Sequence, residues 1–288
     1  MSAAPTGLRL YDEAACRAAC SIIDAYSTSF SLATRLLGPR ARHHVRHVYA
    51  LVRIADEIVD GPADEAGVTL EERRRILDAL EQETTDAVAR GFSANLVVHA
   101  YARTARECGI GDDLTAPFFQ AMRTDLTTSQ HDADSHDAYV YGSAEVVGLM
   151  CLAVFVNAGT TAPARPAPHL TAGAQSLGRA FQDVNFLRDL ADDSERLGRD
   201  YLAIGDGADR ATVLDRIDAD LARAAAVIPE LPADCRRAVT VAHDLFATLG
   251  RQLRESGPGA GRVSVPASRK AALAARAWLG AAPLGTRA

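Results

Sequence analysis

Several features that mark other classes of protein are scarce or missing in this sequence of 288 residues. Aromatic residues make up only 6% of it, runs of Val, Ile and Thr are few, and no Asn-Gly dipeptide signals a hairpin. These absences argue against a sheet, whereas 48% hydrophobic residues, many of them alanine, suffice for a helical core. We therefore predict an all-α protein.

Excess positive charge is also missing, because the formal net charge is −6. A nucleic-acid surface needs clustered cations that displace counterions from phosphates, so we expect no nucleic-acid partner. The sequence has no C-x-x-C pair, and its odd number of cysteines indicates reduced, buried thiols. They are Cys16, Cys20, Cys108, Cys151 and Cys235.

Long apolar runs are missing as well. No run reaches the roughly 18 to 20 residues of a membrane span, and Asp12 and Glu13 lie where a secretory signal would be apolar. We expect a cytoplasmic protein, and peripheral association with the inner face of a membrane stays open.

Apolar residues recur with a helical period along most of the chain. The pattern predicts helices at about 12–34, 40–60, 69–90, 93–109, 112–129, 136–159, 169–194, 209–228, 233–255 and 266–280. Thr69 and Glu72 have the spacing of a capping box. Glycine and proline separate the helices without a long polar linker, so we predict one domain over residues 1–288.

One predicted helix carries two acidic residues, Asp56 and Asp60, on one face. At about 100° per residue, they share an arc of about 60° with Tyr49 and Arg53, beside an apolar stripe. Like charges one turn apart repel each other unless a cation lies between them. A solvated acidic face would explain one such pair, but a second pair favours a functional role.

The second pair, Asp189 and Asp193, shares an arc of roughly 80° with Gln182 and Asn185 on a later helix. We call each such row of polar side chains an acidic strip, and apolar residues flank the second strip as they flank the first. Oxygen ligands without His or Cys suit hard cations, and Mg²⁺ is usually held by one or two carboxylates together with substrate phosphates and water. The two strips therefore predict a Mg²⁺ site, with Mn²⁺ as a substitute, that binds a phosphorylated substrate.

Three arginines close to these strips, Arg53, Arg188 and Arg199, supply guanidinium groups that suit the oxygens of a departing diphosphate. The helical projection turns Arg188 away from the centre of its acidic strip. We expect the arginines to neutralise charge that the metal leaves uncompensated.

Two groups of histidines could indicate a transition-metal site. His43, His44 and His47 begin a helix beside other cations, where an exposed basic turn is the plainer account. His131 and His136 are predicted to lie in a loop. We assign no metal to either group.

These motifs resemble those of the squalene and phytoene synthase family, the head-to-head prenyl transferases. Residues 49–60 are similar to its first aspartate-rich motif and residues 185–193 to its second. Residues 27–39 resemble its opening, residues 139–150 its helix of tyrosine and small residues, and residues 198–202 its flap. The resemblance, closest to bacterial phytoene synthases, covers nearly the whole chain.

The resemblance implies a trans-isoprenoid synthase helical bundle with a central active-site cavity. The implied catalytic residues are Asp56, Asp60, Asp189, Asp193, Tyr141 and Tyr49. The implied metal ligands are Asp56, Asp60, Asn185, Asp189 and Asp193. The implied substrate-binding residues are Arg53, Gln182, Asn185, Arg188, Arg199, Tyr201 and Ser27. The chain departs from the family at Asp183, where leucine is common, and at Ala203, where proline is common.

The implied reaction joins two prenyl diphosphates, predicted to be geranylgeranyl diphosphate, through a cyclopropylcarbinyl diphosphate to phytoene. The glycines between 257 and 261 follow no predicted strand, so no dinucleotide fingerprint is present and NADPH is not expected. Formation of squalene, dehydrosqualene or presqualene diphosphate from farnesyl diphosphate stays open. So does a class I terpene cyclase that acts on one prenyl diphosphate. A non-catalytic scaffold homologue is disfavoured because all four motif carboxylates are present.

Overall fold

The computed structural model describes residues 6–127, 133–196, 210–256 and 263–285. The side chains of residues 28–29, 133–135 and 189–196 lie outside that description. The described part is helical and contains no strand. Its α-helices are α1 Leu8–Tyr26, α2 Thr28–Arg35, α3 Pro39–Val59, α4 Pro62–Glu65, α5 Leu70–Arg90, α6 Leu96–Cys108, α7 Asp112–Thr127, α8 Ala133–Val140, α9 Val146–Asn157, α10 Pro168–Arg196, α11 Arg210–Val227, α12 Ala233–Glu255 and α13 Ala267–Trp278.

The predicted helices correspond closely to those observed, and the capping box of Thr69 and Glu72 is present at the start of α5. One prediction was wrong, because the helix predicted at 12–34 is two helices. The break falls at Ser27, whose hydroxyl accepts a hydrogen bond of 3.0 Å from the backbone N–H of Phe30 and so caps α2. Two short elements were not predicted: α4 and a 3₁₀ turn at Ile228–Glu230.

Helices α8 and α9 are continuous through a π-helical turn at Tyr141–Glu145. The stretch His136–Asn157 is long and apolar enough to cross a membrane by length and composition alone. Of its most apolar window, 56% is buried inside the structure, which is also the behaviour of a core helix. The sequence had offered no such candidate, because Asp137 and Glu145 interrupt the apolar residues.

Helix α3 lies at the centre and packs against α1, α6, α7 and α9. Its buried side chains Leu51 and Ala55 belong to a core cluster that extends from α1 to α13. Helices α10 and α11 pack along each other beside it. This arrangement makes α3 and α10 two long walls around an interior space.

The histidine interpretation needs correction. His44 and His47 are buried, not exposed, and the Nδ1 atoms of both lie within 2.8 to 2.9 Å of Thr104 Oγ1 on α6. His136 is buried on α8, not in a loop, and His131 lies outside the described residues. The cysteine prediction is confirmed in that all five thiols are free, but only Cys108 and Cys235 are fully buried.

Candidate active site

A cavity of about 540 Å³ lies between α3, α10 and their neighbours. On α3, its wall begins with Val45, Val48 and Val52 and ends with Arg53, Asp56 and Asp60. Val45, Val48 and Val52 are three and four residues apart, as are Arg53, Asp56 and Asp60, so these two adjacent rows form one face that lines the cavity. That face changes from apolar to charged along the helix.

Helix α10 shows the same change in the same direction. Leu170, Ala174 and Leu177 line the cavity near the start of the helix, and polar side chains line it further along. The polar residues are Gln182, Asn185 and Arg188.

The polar parts of the two helices lie at the same end of the cavity. The ring of Phe30 lies between the two walls, with its centroid 6.3 Å from that of Tyr49 and 6.3 Å from that of Phe181. At the other end, Arg40 at the start of α3 donates a hydrogen bond of 2.9 Å to the carbonyl of Phe155. Phe155 packs against the same apolar cluster as Leu170 at the start of α10. The cavity therefore has one charged end and one apolar end.

Arg53 is one of two arginines at the charged end, the other being Arg188. Its Nη1 lies 3.8 Å from Asp56 Oδ2 and 3.3 Å from Glu57 Oε1. Its guanidinium also lies over the rings of Tyr26, at 5.3 Å, and Tyr49, at 5.9 Å. The Nε–H is buried and has no hydrogen-bond partner among the described residues, so it is a donor available to an anion.

Asp56 has an unusual electrostatic environment. Loss of water around the carboxylate, together with repulsion from Asp60 and Glu57, raises its pKa to about 7 against the opposing charge of Arg53. Arg53 therefore does not compensate all the negative charge of this strip. A cation bound between Asp56 and Asp60 would favour the charged carboxylates.

The donor set fits a hard divalent cation in part. Asp56, Asp60 and Asn185 present oxygen atoms at the charged end of one cavity. The backbone of Asp189 and Asp193 continues α10 beyond Asn185, but their side chains lie outside the described residues. Among the described side chains alone, no group of three His, Cys, Asp or Glu could hold a metal.

The other predicted site residues occupy different places. Tyr49, Gln182 and Arg188 line the cavity. Tyr141 packs against the core but is not among the lining residues, and Ser27 serves as the cap of α2. Arg199 and Tyr201 lie outside the described residues.

The structure adds a polar pair that sequence reasoning did not assign to the site. Asp125 and Tyr139 both line the cavity, and the Tyr139 hydroxyl donates a hydrogen bond of 3.0 Å to Asp125 Oδ2. Both side chains are almost fully buried. The sequence around Asp125 gives little signal, because the polar residues Arg123, Thr124 and Thr127 flank it.

Behind the cavity, ion pairs connect α10 to its neighbours. Arg179 Nε donates to Glu145 Oε1 on the π-helical turn at 2.8 Å, and Gln175 donates to the other carboxylate oxygen at 3.1 Å. Further along α10, Arg216 of α11 donates to Asp183 Oδ2 at 2.9 Å. These pairs fix the rotation of α10 about its axis and therefore which residues it presents to the cavity.

The model of the squalene/phytoene synthase family matches residues 23–204. The chain belongs to this family. Phytoene synthase 3 of Zea mays is 32% identical over 179 residues, which are 62% of this chain and 40% of that protein. The phytoene synthase of Mycobacterium bovis is 31% identical over 209 residues, which are 72% of this chain and 63% of that protein. The chain thus spans about half the length of such relatives.

Solved structures show the same fold. A dehydrosqualene synthase in complex with a ligand superposes with a TM-score of 0.78 at 22% identity, covering 94% of this chain and 98% of that one. Squalene synthase HpnC of Alicyclobacillus acidocaldarius gives 0.67 at 21% identity, covering 88% and 96%. The resemblance inferred from the motifs and the predicted all-α bundle with a central cavity are both confirmed.

Proposed function

We propose that the protein joins two molecules of geranylgeranyl diphosphate head to head to give phytoene. The proposal rests chiefly on one observation: a single cavity has Arg53, Asp56, Asp60, Asn185 and Arg188 at one end and an apolar interior. Such a cavity suits a substrate with a diphosphate head and a long hydrocarbon tail. The phytoene synthases among the sequence relatives support this choice of substrate.

The two arginines at the charged end stabilise the departing diphosphate. As the bond between C1 and oxygen breaks, its electron pair moves to the diphosphate, and guanidinium groups directed at that charge lower the barrier. The Nε–H of Arg53 is suited to this role because it is buried and unpartnered among the described residues.

Magnesium would be held here by Asp56, Asp60 and Asn185, together with Asp189 and Asp193 of the second predicted acidic pair. When bound, it supplies Lewis-acid stabilisation of the diphosphate oxygens. Arg53 and Arg188 attract the diphosphate to the charged end, which leaves the hydrocarbon tail toward the apolar end.

The apolar walls protect the cationic intermediates. The allylic cation is attacked by the alkene of the second substrate, and loss of a proton gives the cyclopropylcarbinyl diphosphate. A second ionisation, rearrangement and loss of another proton give phytoene, so two diphosphates and two protons leave in all. Val48, Val52, Leu177 and Phe181 exclude the water that would convert either cation to an alcohol.

A second candidate is the squalene-type reaction on farnesyl diphosphate. The solved dehydrosqualene and squalene synthases of the same fold favour it. The two candidates share the charged end and differ in the tails that the apolar end must hold.

Mass analysis of products separates the candidates. Purified protein is incubated with Mg²⁺ and either farnesyl or geranylgeranyl diphosphate, with and without NADPH. We expect phytoene from geranylgeranyl diphosphate and no effect of NADPH. Turnover of farnesyl diphosphate alone would contradict the proposed substrate, a cyclic product from one prenyl unit would indicate a terpene cyclase, and no turnover of either would indicate a non-catalytic homologue.

A further inference from the structure

Two of the five thiols lie one helical turn apart on α1. Cys16 and Cys20 are both half-buried, whereas Cys108 and Cys235 are buried. Residues four apart in a helix project from the same face, so the two sulfur atoms are neighbours that solvent can reach. We call Cys16 and Cys20 the α1 dithiol.

Arg46 of α3 lies against this dithiol, at the contact between α1 and α3. Its Nε–H is buried without a hydrogen-bond partner, and its guanidinium forms no ion pair with a carboxylate, among the residues that the structure describes. A cation that is left uncompensated in this way favours an anion beside it. The Cys20 sulfur lies close enough to supply that anion as a thiolate.

The two thiols of the dithiol differ in their chemistry. Contact with the Cys16 thiol, and then with Arg46, lowers the pKa of Cys20 to about 6 against the opposing effect of burial. Contact with Cys20, together with burial, raises the pKa of Cys16. At neutral pH Cys20 is therefore a thiolate, which is the form that reacts with oxidants, and Cys16 is a thiol beside it.

The other three cysteines lack this environment. Burial raises the pKa of each of them to about 12. They are Cys108, Cys151 and Cys235. Such thiols are protonated at neutral pH and react slowly, so they are internal references for the reactivity of Cys20.

We propose that the α1 dithiol is a site of reversible oxidation by hydrogen peroxide, with Cys20 as the attacking thiol and Cys16 as the resolving thiol. The Cys20 sulfur forms a bond to one peroxide oxygen, the O–O bond breaks, and hydroxide leaves a sulfenic acid on Cys20. The Cys16 sulfur then bonds to the Cys20 sulfur, and the S–O bond breaks. The second hydroxide leaves with the Cys16 proton as water. The dithiol thus loses two electrons, which reduce the peroxide.

The first step prepares Cys16 for the second. Contact with the Cys20 thiolate is the largest cause of the raised pKa of Cys16. A sulfenic acid at Cys20 no longer has the negative sulfur of the thiolate, so this cause disappears on oxidation. Cys16 then gives up its proton more easily and becomes a better nucleophile where its target is already in place.

A disulfide at this position does not fit a regular helix. The Cβ atoms of residues four apart in a helix are about 5 to 6 Å apart, whereas a disulfide needs about 3.5 to 4.5 Å. The turn of α1 between Cys16 and Cys20 must therefore distort when the disulfide forms. A strained and half-exposed disulfide is readily reduced, which makes the oxidation reversible.

The distorted turn lies close to the charged end of the cavity. Tyr26 is the last residue of α1, six residues after Cys20. Its ring lies 5.3 Å from the guanidinium of Arg53. Distortion of α1 should displace this ring and with it Arg53, so we expect the oxidised protein to turn over prenyl diphosphate more slowly. This effect on turnover rests on the proposed function, whereas the oxidation itself does not.

A bound metal ion accounts for the dithiol less well. Among the described side chains, no third His, Cys, Asp or Glu joins Cys16 and Cys20 in a group that could hold a metal. The charge of Arg46 would also repel a metal cation at this position. The same charge favours the thiolate that peroxide needs.

Trypsin separates the two thiols, because Arg17 lies between them. Peptide 10–17 carries Cys16, and peptide 18–35 carries Cys20, with no other cysteine in either. The full chain is treated with hydrogen peroxide at pH 7, blocked with iodoacetamide, digested and analysed by mass. We expect the two peptides to be joined by a disulfide that dithiothreitol cleaves. Two separate peptides that both carry the iodoacetamide label would overturn the proposal.

Variants test the role of each thiol. Cys16→Ser should stop the reaction at the sulfenic acid, which dimedone traps on peptide 18–35. Cys20→Ser should leave Cys16 unoxidised at the same peroxide concentration. Oxidation of Cys16 in that variant, at the rate at which the wild-type protein reacts, would overturn the assignment of Cys20 as the attacking thiol.

A matched pair of arginine variants tests the cation. Arg46→Gln should slow the oxidation of Cys20 about 3- to 10-fold at pH 7, because less of the thiol is ionised. Arg9→Gln removes an exposed arginine of the same helix α1, which pairs with Glu13, and should leave the rate unchanged. Equal rates in the two variants would show that Arg46 does not activate the dithiol.

Turnover before and after peroxide tests the connection to Arg53. It should fall on oxidation, return with dithiothreitol, and stay constant in Cys16→Ser/Cys20→Ser. An equal fall in this double variant would overturn the connection. The disulfide is measured on peptides, so a reduced protein without any turnover would contradict the proposed reaction and not the oxidation of the dithiol.

Discussion

Arg216 donates a hydrogen bond of 2.9 Å from Nε to Oδ2 of Asp183 across the contact between α10 and α11. The carboxylate has no exposed surface, whereas the guanidinium side chain is 35% exposed. Burial raises the pKa of Asp183 to about 6, and the charge of Arg216 opposes that shift. Arg216 is therefore the hydrogen-bonded cation of a buried carboxylate, whose other oxygen lies 3.9 Å from His136 Nε2.

The first prediction removes that cation. Arg216→Met should lower the free energy of unfolding at neutral pH by up to about 3 to 5 kcal/mol, because buried Asp183 loses its hydrogen-bonded cation and its pKa rises further, so that it must take up a proton on folding. The loss should shrink as pH falls toward about 6, because Asp183 of the wild-type protein then begins to take up the same proton. Urea unfolding at several pH values measures both effects.

The double variant is the control for this first prediction. Arg216→Met/Asp183→Leu should recover most of the stability, because two apolar side chains replace the pair. A double variant as unstable as the single one would show that Arg216 acts through packing and not through Asp183.

The second prediction concerns the close contact between α9 and α10. A Cβ on Gly148 would lie 2.8 Å from the carbonyl oxygen of Ala174, and both residues line the cavity. Because backbone cannot move aside without shifting a helix, Gly148→Ala should destabilise the protein by about 1 to 3 kcal/mol. Turnover should fall as well, because the cavity wall changes shape.

Gly250 provides the matched control within α12. A Cβ there would lie 3.5 Å from Ile217 Cγ2, an ordinary contact. Gly250→Ala should therefore stabilise the helix by up to about 1 kcal/mol. If both variants were equally harmful, the close approach at Gly148 would not be the cause.

The acidic strip of α3 could be predicted from sequence because helical spacing alone determines which side chains share a face. The shared face of Asp56 and Asp60 could therefore be predicted without knowledge of the tertiary structure. Packing between helices, however, determines which face of a helix lines the cavity. For this reason Asp125 and Tyr139 were not assigned to the site, whereas Tyr141 was. Residues two apart on one helix point in different directions, and local sequence cannot choose between them.

The burial of His44 and His47 could not be predicted for a similar reason. Their sequence neighbours are arginines, which indicate an exposed turn. Their hydrogen-bond partner, Thr104, lies on α6 and is 57 residues from His47 in the chain. The break at Ser27 was missed because apolar residues continue at helical spacing on both sides of it.

The third prediction follows from these buried histidines. Burial, together with repulsion from the neighbouring histidines, lowers the pKa of His44 to about 4 and that of His47 to about 3. Between about pH 6.5 and 4 the unfolded chain therefore binds protons that the folded chain does not, so their contribution to stability is lost as pH falls. The slope should reach about 1.4 kcal/mol per pH unit for each histidine.

A series of variants checks this third prediction by urea unfolding across that range. His47→Gln should reduce the slope by about 1.4 kcal/mol per pH unit, which corresponds to one proton. His44→Gln/His47→Gln should reduce it by about twice as much. Unchanged slopes would mean that both histidines are protonated in the folded protein.

The last prediction tests the charged end of the cavity through Asp56. Asp56→Asn should lower turnover of the prenyl diphosphate by at least about 100-fold, because one charged oxygen ligand is lost where the diphosphate is held. Stability should be unchanged or slightly higher, since the repulsion between Asp56 and Asp60 disappears. Glu57→Gln is the matched control: Glu57 is on the same helix and lies 3.3 Å from Arg53, but it does not line the cavity. Its variant should keep turnover within a small factor, so equal losses in the two variants would assign the effect to Arg53 and not to a ligand position at Asp56.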